Sequence, residues 1–131
     1  MPTEHNAKSI IIGCVADGAI APYHAVELAT TTGDEKHVNQ ADSANEAWGI
    51  YQGDTAAAQY DHVDICIIGP CKAWVDGANT VNPPQPVTND TDGHIVAETA
   101  DKKRAIGWAL AVNGATENYG EVFVIPHYTS L

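Results

Sequence analysis

Basic charge is scarce in this chain. Lys and Arg together number 6, against 17 Asp and Glu, for a formal net charge of -11. A surface that acidic repels phosphate backbones and anionic bilayers, so neither nucleic acid nor a membrane is an expected partner. Long apolar runs are missing too, and none approaches the roughly 20 residues that cross a bilayer. The opening MPTEHNAKSIII has no basic segment, apolar stretch and small-residue cleavage site in series, so no signal peptide is expected and synthesis in the cytoplasm is. Cysteine is limited to Cys14, Cys66 and Cys71, an odd count with no paired motif, which predicts reduced thiols. No GxSxG and no cysteine-protease surround is present. The histidines are His5, His24, His37, His62, His94 and His127, and no two of them form an HxH pair. A zinc set drawn from Cys66, Cys71, His62 and His127 would need distant residues to converge. The prediction is therefore no catalytic residue, no metal and no cofactor.

What the chain does have is a strand that comes back. Residues 60–70, YDHVDICIIGP, are an apolar, β-branched run closed by Gly69-Pro70, which predicts a buried strand ending at that breaker. Residues 119–126, YGEVFVIP, repeat the aromatic start, acidic residue, apolar run and proline. Asp76-Gly77-Ala78 repeats Asp17-Gly18-Ala19, 59 positions on (76 minus 17), and Gly107 follows Gly49 by 58. Residues 83–87 stand where 22–26 stood, and 92–96 where 34–38 stood. The halves read as about 17–70 and 76–127.

Short strands are predicted over 9–15, 24–29, 37–40, 47–51, 60–68, 72–75 and 119–125, with at most short helical turns near Ser43 and residues 53–59. Frequent turn signals between short strands predict an all-β fold, a compact β-barrel or β-sandwich of two duplicated halves, β-tulip-like. No stretch between the halves has linker composition, so residues 9–131 are read as one β domain behind a flexible polar arm of residues 1–8. The predicted core is Val15, Val26, Leu28, Trp48, Ile50, Val63, Ile65, Ile67, Val87, Ile95, Ile106, Leu110, Val122 and Val124.

The site candidates are modest. Cys71, after Gly69-Pro70, is the one position resembling a presented thiol. The acidic pairs Asp34-Glu35, Asp61 with Asp64, and Asp90 with Asp92 sit in or beside turns, where carboxylates cap amides. Residues 89–93, NDTDG, lack the frame and closing glutamate of a calcium loop. Lys102, Lys103 and Arg104 hold half the basic charge and read as an exposed hairpin flank or an interface with an acidic partner. Trp48 and Trp108 sit beside the matched glycines and read as core. Trp74 has no counterpart in the other half and is the candidate interface aromatic.

From VADGAIAPYHAVELAT through VDICIIGPCK, VTNDTDGHIVAET and AIGWAL to GEVFVIP, residues 9–126 resemble the small capsid decoration (cement) proteins of tailed bacteriophages, related to the lambda-type head decoration proteins. The proline-rich VNPPQPV and the TTTGDEK loop depart from that pattern. The resemblance implies a virion structural protein, made in the host cytoplasm, that stabilises the outer capsid surface as a homo-trimer at three-fold or quasi-three-fold positions. The major capsid protein would be its partner. The capsid-contact arm would be Pro2, Thr3, Glu4, His5, Asn6, Ala7, Lys8 and Ser9, adding a strand to the shell. The competing readings are a glycan- or cell-surface-binding module displayed on a virion, reading through Trp74 and neighbouring loops, and a small enzyme using Cys71 or a His/Asp cluster.

Overall fold

The structure, a computed structural model, describes residues 8–30, 33, 35–76, 81–112 and 119–130. Among these there is no helix. Nine strands follow one another: β1 (Ile10–Ala16), β2 (Ala25–Leu28), β3 (His37–Gln40), β4 (Gly49–Tyr51), β5 (His62–Trp74), β6 (Gln85–Asn89), β7 (Ile95–Ala97), β8 (Arg104–Val112) and β9 (Tyr119–Tyr128). The fold is all-β, as the turn spacing predicts. The turn after Ser43 and the segment 53–59 stay non-helical, because neither is long enough to offset helix nucleation.

The first five strands close a barrel. Their order is β1-β3-β2-β4-β5, and β5 pairs antiparallel with β1 to complete the ring. The seam is parallel, with Val15 opposite His37 and Ala16 opposite Val38. The remaining strands run β5-β9-β8-β6-β7, and a parallel bridge from Val75 to Ile95 returns β7 to the end of β5. Each ring repeats the other's pairing. Val26 faces Gly49 in one and Val87 faces Gly107 in the other. The Asp17 amide donates to Val38 O at 2.8 Å, and the Asp76 amide to Ile95 O at 2.9 Å.

Residues 69–70 do not end a strand. β5 runs through them, so residues 72–75 are not a separate element. Up to Ile68 it pairs with β1 and β4; from Gly69 it pairs with β9. Gly69 takes φ of +106°, which turns the strand from one barrel into the other at a position other residues would strain. Pro70 is tolerated because the corner leaves β1 behind there. The repeating unit of pairing therefore begins at Ile10 and again at Gly69, inside one shared strand, rather than at the turns of Asp17 and Asp76.

Two buried clusters fill the rings. One contains Cys14, Ala16, Ile20, Val26, Val38, Tyr51, Val63 and Ile65. The other joins Cys71, Ala73, Val75, Val87, Ile95, Ala109, Val122 and Val124 of the second ring to Ala25, Ile50 and Cys66 of the first. Most of the predicted core is buried, with four exceptions. Leu28, the last residue of β2, is 61% exposed at the strand's end, and Leu110 is 44% exposed on the outward side of β8 with Trp108. Trp48 and Ile67 are half-buried, packed against the rim of the first cluster.

Candidate interaction surfaces

Trp74, the predicted interface aromatic, is half-buried in a cluster built by both halves. His24 stacks on it at 5.5 Å between ring centroids, and Tyr119 meets it edge-on at 5.1 Å. Tyr23 in turn meets Tyr119 edge-on at 5.4 Å. The Lys72 ammonium lies 4.4 Å from the Tyr119 ring and 4.8 Å from Tyr23, within cation–π range. A Trp with one face stacked and an edge packed is not an open sugar platform. Its local role is to pin the loop before β2 to the end of β5, where the Trp74 amide also donates to Tyr23 O at 2.9 Å. Burial holds the His24 imidazole pKa below its ordinary value, so this ring is neutral at pH 7.

Of the three basic neighbours, Lys102 and Lys103 are exposed on the turn before β8. Arg104 is engaged: its Nη1 donates to Ala47 O, and its own carbonyl accepts from Asn45 Nδ2 at 2.9 Å. It ties the two halves together, and only the lysines present free charge. Arg104 also lines an open cleft with Glu27, Glu46 and Trp48. Of the arm, Pro2, Thr3, Glu4, His5, Asn6 and Ala7 lie outside the described residues. Lys8 is exposed, and Ser9 Oγ donates to Pro70 O at 2.8 Å, fixing the arm's root at the corner of β5.

All three cysteines are buried. Cys71 is buried rather than displayed, and both its hydrogen bond to Cys66 and its burial push the thiol pKa up, away from the reactive thiolate. Burial pushes Cys14 the same way. Among the described residues, one set of ligand types converges: Asp76, Asp90 and His94, with ligand atoms within 4.8 Å of one another. Asp90 Oδ1 already accepts the amides of Asp92 and His94, each at 2.9 Å, and its Oδ2 lies 3.3 Å from His94 Nδ1. The first barrel carries Asp17 with His37 at 3.2 Å on its own seam. Aspartate and histidine thus recur where each ring closes.

One surface escaped the sequence reading. Pro86, Trp108, Phe123 and Pro70 stand opposite one another across β6, β8, β9 and β5, on the outside of the second barrel. Trp108 is 39% exposed rather than core, lying flat on His127 at 5.3 Å with its other face outward. Phe123, Leu110 and Ile125 are exposed beside it. The signal was present in residues 105–110 and 122–125, which are apolar at successive positions. A strand apolar on both faces is one that expects cover on both.

No family model matches the chain, and no curated protein does. Among solved structures, the N base of head fiber gp8.5 of bacteriophage phi29 superposes with a TM-score of 0.61 at 12% identity, over 90% of this chain and 95% of that one. The likeness is one of fold. It takes in nearly the whole chain and so includes both barrels.

Proposed function

We propose that this chain is a structural virion protein that decorates and stabilises the outer surface of a bacteriophage capsid, without enzymatic activity and as a homo-trimer. The observation that carries the reading is the shared fold with a phage head fiber base over nearly the full length of both chains. A second feature supports it: an outward face of the second barrel is apolar around Trp108 and Phe123.

The contact with the shell is assigned to the arm. Pro2 to Ser9 lead directly into β1, whose root is held at Pro70. An extended arm pairing with a strand edge of the major capsid protein satisfies backbone donors and acceptors on both partners. Ordering each residue costs roughly 1–2 kcal/mol, so a single arm binds weakly. Three arms on one trimer rebind at high effective concentration and raise the avidity by roughly a hundredfold or more.

The test is co-sedimentation with capsids that lack the protein. The full chain is expected to pellet with them, and a chain without residues 2–8 to keep its fold and oligomer but stay in the supernatant. Equal binding by the truncated chain would move the contact from the arm to the loops, and no binding by the full chain would overturn the reading.

A further inference from the structure

The two barrels differ in one respect that their matching pairing makes visible. In the first, Ala25, Ile50 and Cys66 form a row across β2, β4 and β5, and all three are 0% exposed. They lie in one buried cluster with Cys71, Val87 and Val124, so the second barrel covers this row. Pairing places Pro86, Trp108 and Phe123 at the same three positions of the second barrel, and Pro70 where Ile11 stands in the first. Among the described residues this row stays partly open, with Trp108 39% and Phe123 36% exposed.

We propose that the outer face of the second barrel, centred on Trp108 and Phe123, is the surface through which copies of this chain associate, its occupant being a second copy. For the number of copies this rests on the reading above; for the face it rests on the residues alone. The row carries no charge. Leu110 and Ile125 extend it along β8 and β9, and Ile68 and Ile10 extend it past the Gly69 corner.

Trp108, Phe123, Leu110, Ile125, Ile68 and Ile10 are each 36–53% exposed. At roughly 200 Å² for a large apolar residue, the six leave on the order of 500 Å² of apolar surface. That is near the upper end for a monomer and close to the apolar share of a standard interface of about 800 Å² per partner. Two chains of charge -11 repel each other over most of their surface. Pro86, Trp108, Phe123 and Pro70 add no acidic charge to that repulsion, Glu121 standing two residues along β9 at the margin of the row, and association there removes apolar surface from water.

The experiment is sedimentation analysis of the full chain over a wide concentration range. It is run beside Trp108→Glu, the pair Leu110→Lys with Ile125→Lys, and the off-face control Leu28→Lys, with circular dichroism and urea unfolding reporting the fold. The wild type and the control are expected to assemble alike. Trp108→Glu is expected to need roughly 30-fold more protein to assemble, as for loss of an interface hot spot. Should Trp108→Glu fail to fold, the Leu110/Ile125 pair, more exposed in the monomer, decides the question by the same readout. A monomeric wild type, or folded face variants that assemble like it, would overturn the proposal. Capsid co-sedimentation of the same variants separates the two readings: an oligomer lost with the face while the wild type ignores capsids sinks the decoration role and leaves the face standing.

Discussion

Gly107→Ala is expected to be among the most damaging single-methyl additions in this chain. A Cβ at Gly107 would sit 1.9 Å from Phe123 O, 2.9 Å from the carbon of that carbonyl and 3.0 Å from Val124 Cα. All three are backbone atoms of the partner strand, so no rotamer change relieves the clash. β8 and β9 would have to separate by about 1 Å at their centre, since contacts under 3.0 Å are essentially never seen. Overpacking of this kind costs roughly 1–3 kcal/mol. Each ladder hydrogen bond stretched beyond use adds about 1 kcal/mol. Ala recovers roughly 0.4–1 kcal/mol through the unfolded chain. The net loss is about 3 kcal/mol, or a melting temperature lower by roughly 10–15 °C for a chain of this size.

The controls are graded by the same geometry. At Gly49 the first obstacle is the Ile65 Cγ2 methyl at 2.5 Å, which can shift in part, and the Cys66 carbonyl stands at 3.0 Å, so a smaller loss is expected. At Gly13 nothing lies within 4 Å, and Ala there is expected to be neutral or slightly stabilising. Calorimetry and urea titration of the three variants check the order. A Gly107→Ala protein melting within about 3 °C of wild type would refute the close-approach argument and the β8–β9 register behind it.

Two further outcomes follow from single groups. His24 has a lowered pKa in the fold, against an ordinary value of 6.5, so below that pH the unfolded chain takes up a proton that the folded chain refuses. Stability should fall as pH drops through 6.5 toward the folded value, and His24→Gln should flatten that part of the profile; identical wild-type and variant profiles would deny the burial effect. Arg104→Met removes the donor to Ala47 O while keeping much of the stem, and should cost roughly 1–3 kcal/mol in urea unfolding with the fold retained.

The architecture was legible wherever a residue's chemistry constrains the backbone directly. The Asp17 and Asp76 turns, the paired glycines and the alternating runs around Val63 and Val122 locate strands whose pairing does repeat. The corner at Gly69-Pro70 was misread because Gly-Pro signals a local change of direction, and only long-range pairing decides whether the strand ends or changes sheets. Leu28, Leu110 and Trp108 were misplaced for a related reason. Hydrophobicity reports that a side chain wants cover, not which surface supplies it. Arg104 looked like free charge because its acceptors, the carbonyls near Ala47, are distant in sequence and carry no side-chain signal.

Sharing β5 makes the halves interdependent in a way that a tandem of two closed barrels would not be. The strand supplies one wall to each ring, and the second cluster is completed only by Ala25, Ile50 and Cys66 of the first half. Polar groups stitch the same boundary. Buried Asn89 accepts the Ala47 amide at 3.0 Å and donates to Ser43 O at 3.0 Å, while the Ala25 amide donates to Gly93 O at 2.8 Å and Gln40 Nε2 to Asp92 O at 2.8 Å. Separating the halves at Gly69 would expose three fully buried side chains, at up to roughly 3 kcal/mol for the largest, and exchange these hydrogen bonds for water at about 1 kcal/mol net each. That total is comparable to the whole stability of an ordinary domain, so the two barrels should unfold in one transition. The same interdependence gives the apolar row over Trp108 its meaning. In the first barrel the equivalent positions are closed by folding itself. In the second, among the described residues, they stay partly exposed, and the proposed association with a second copy would close them.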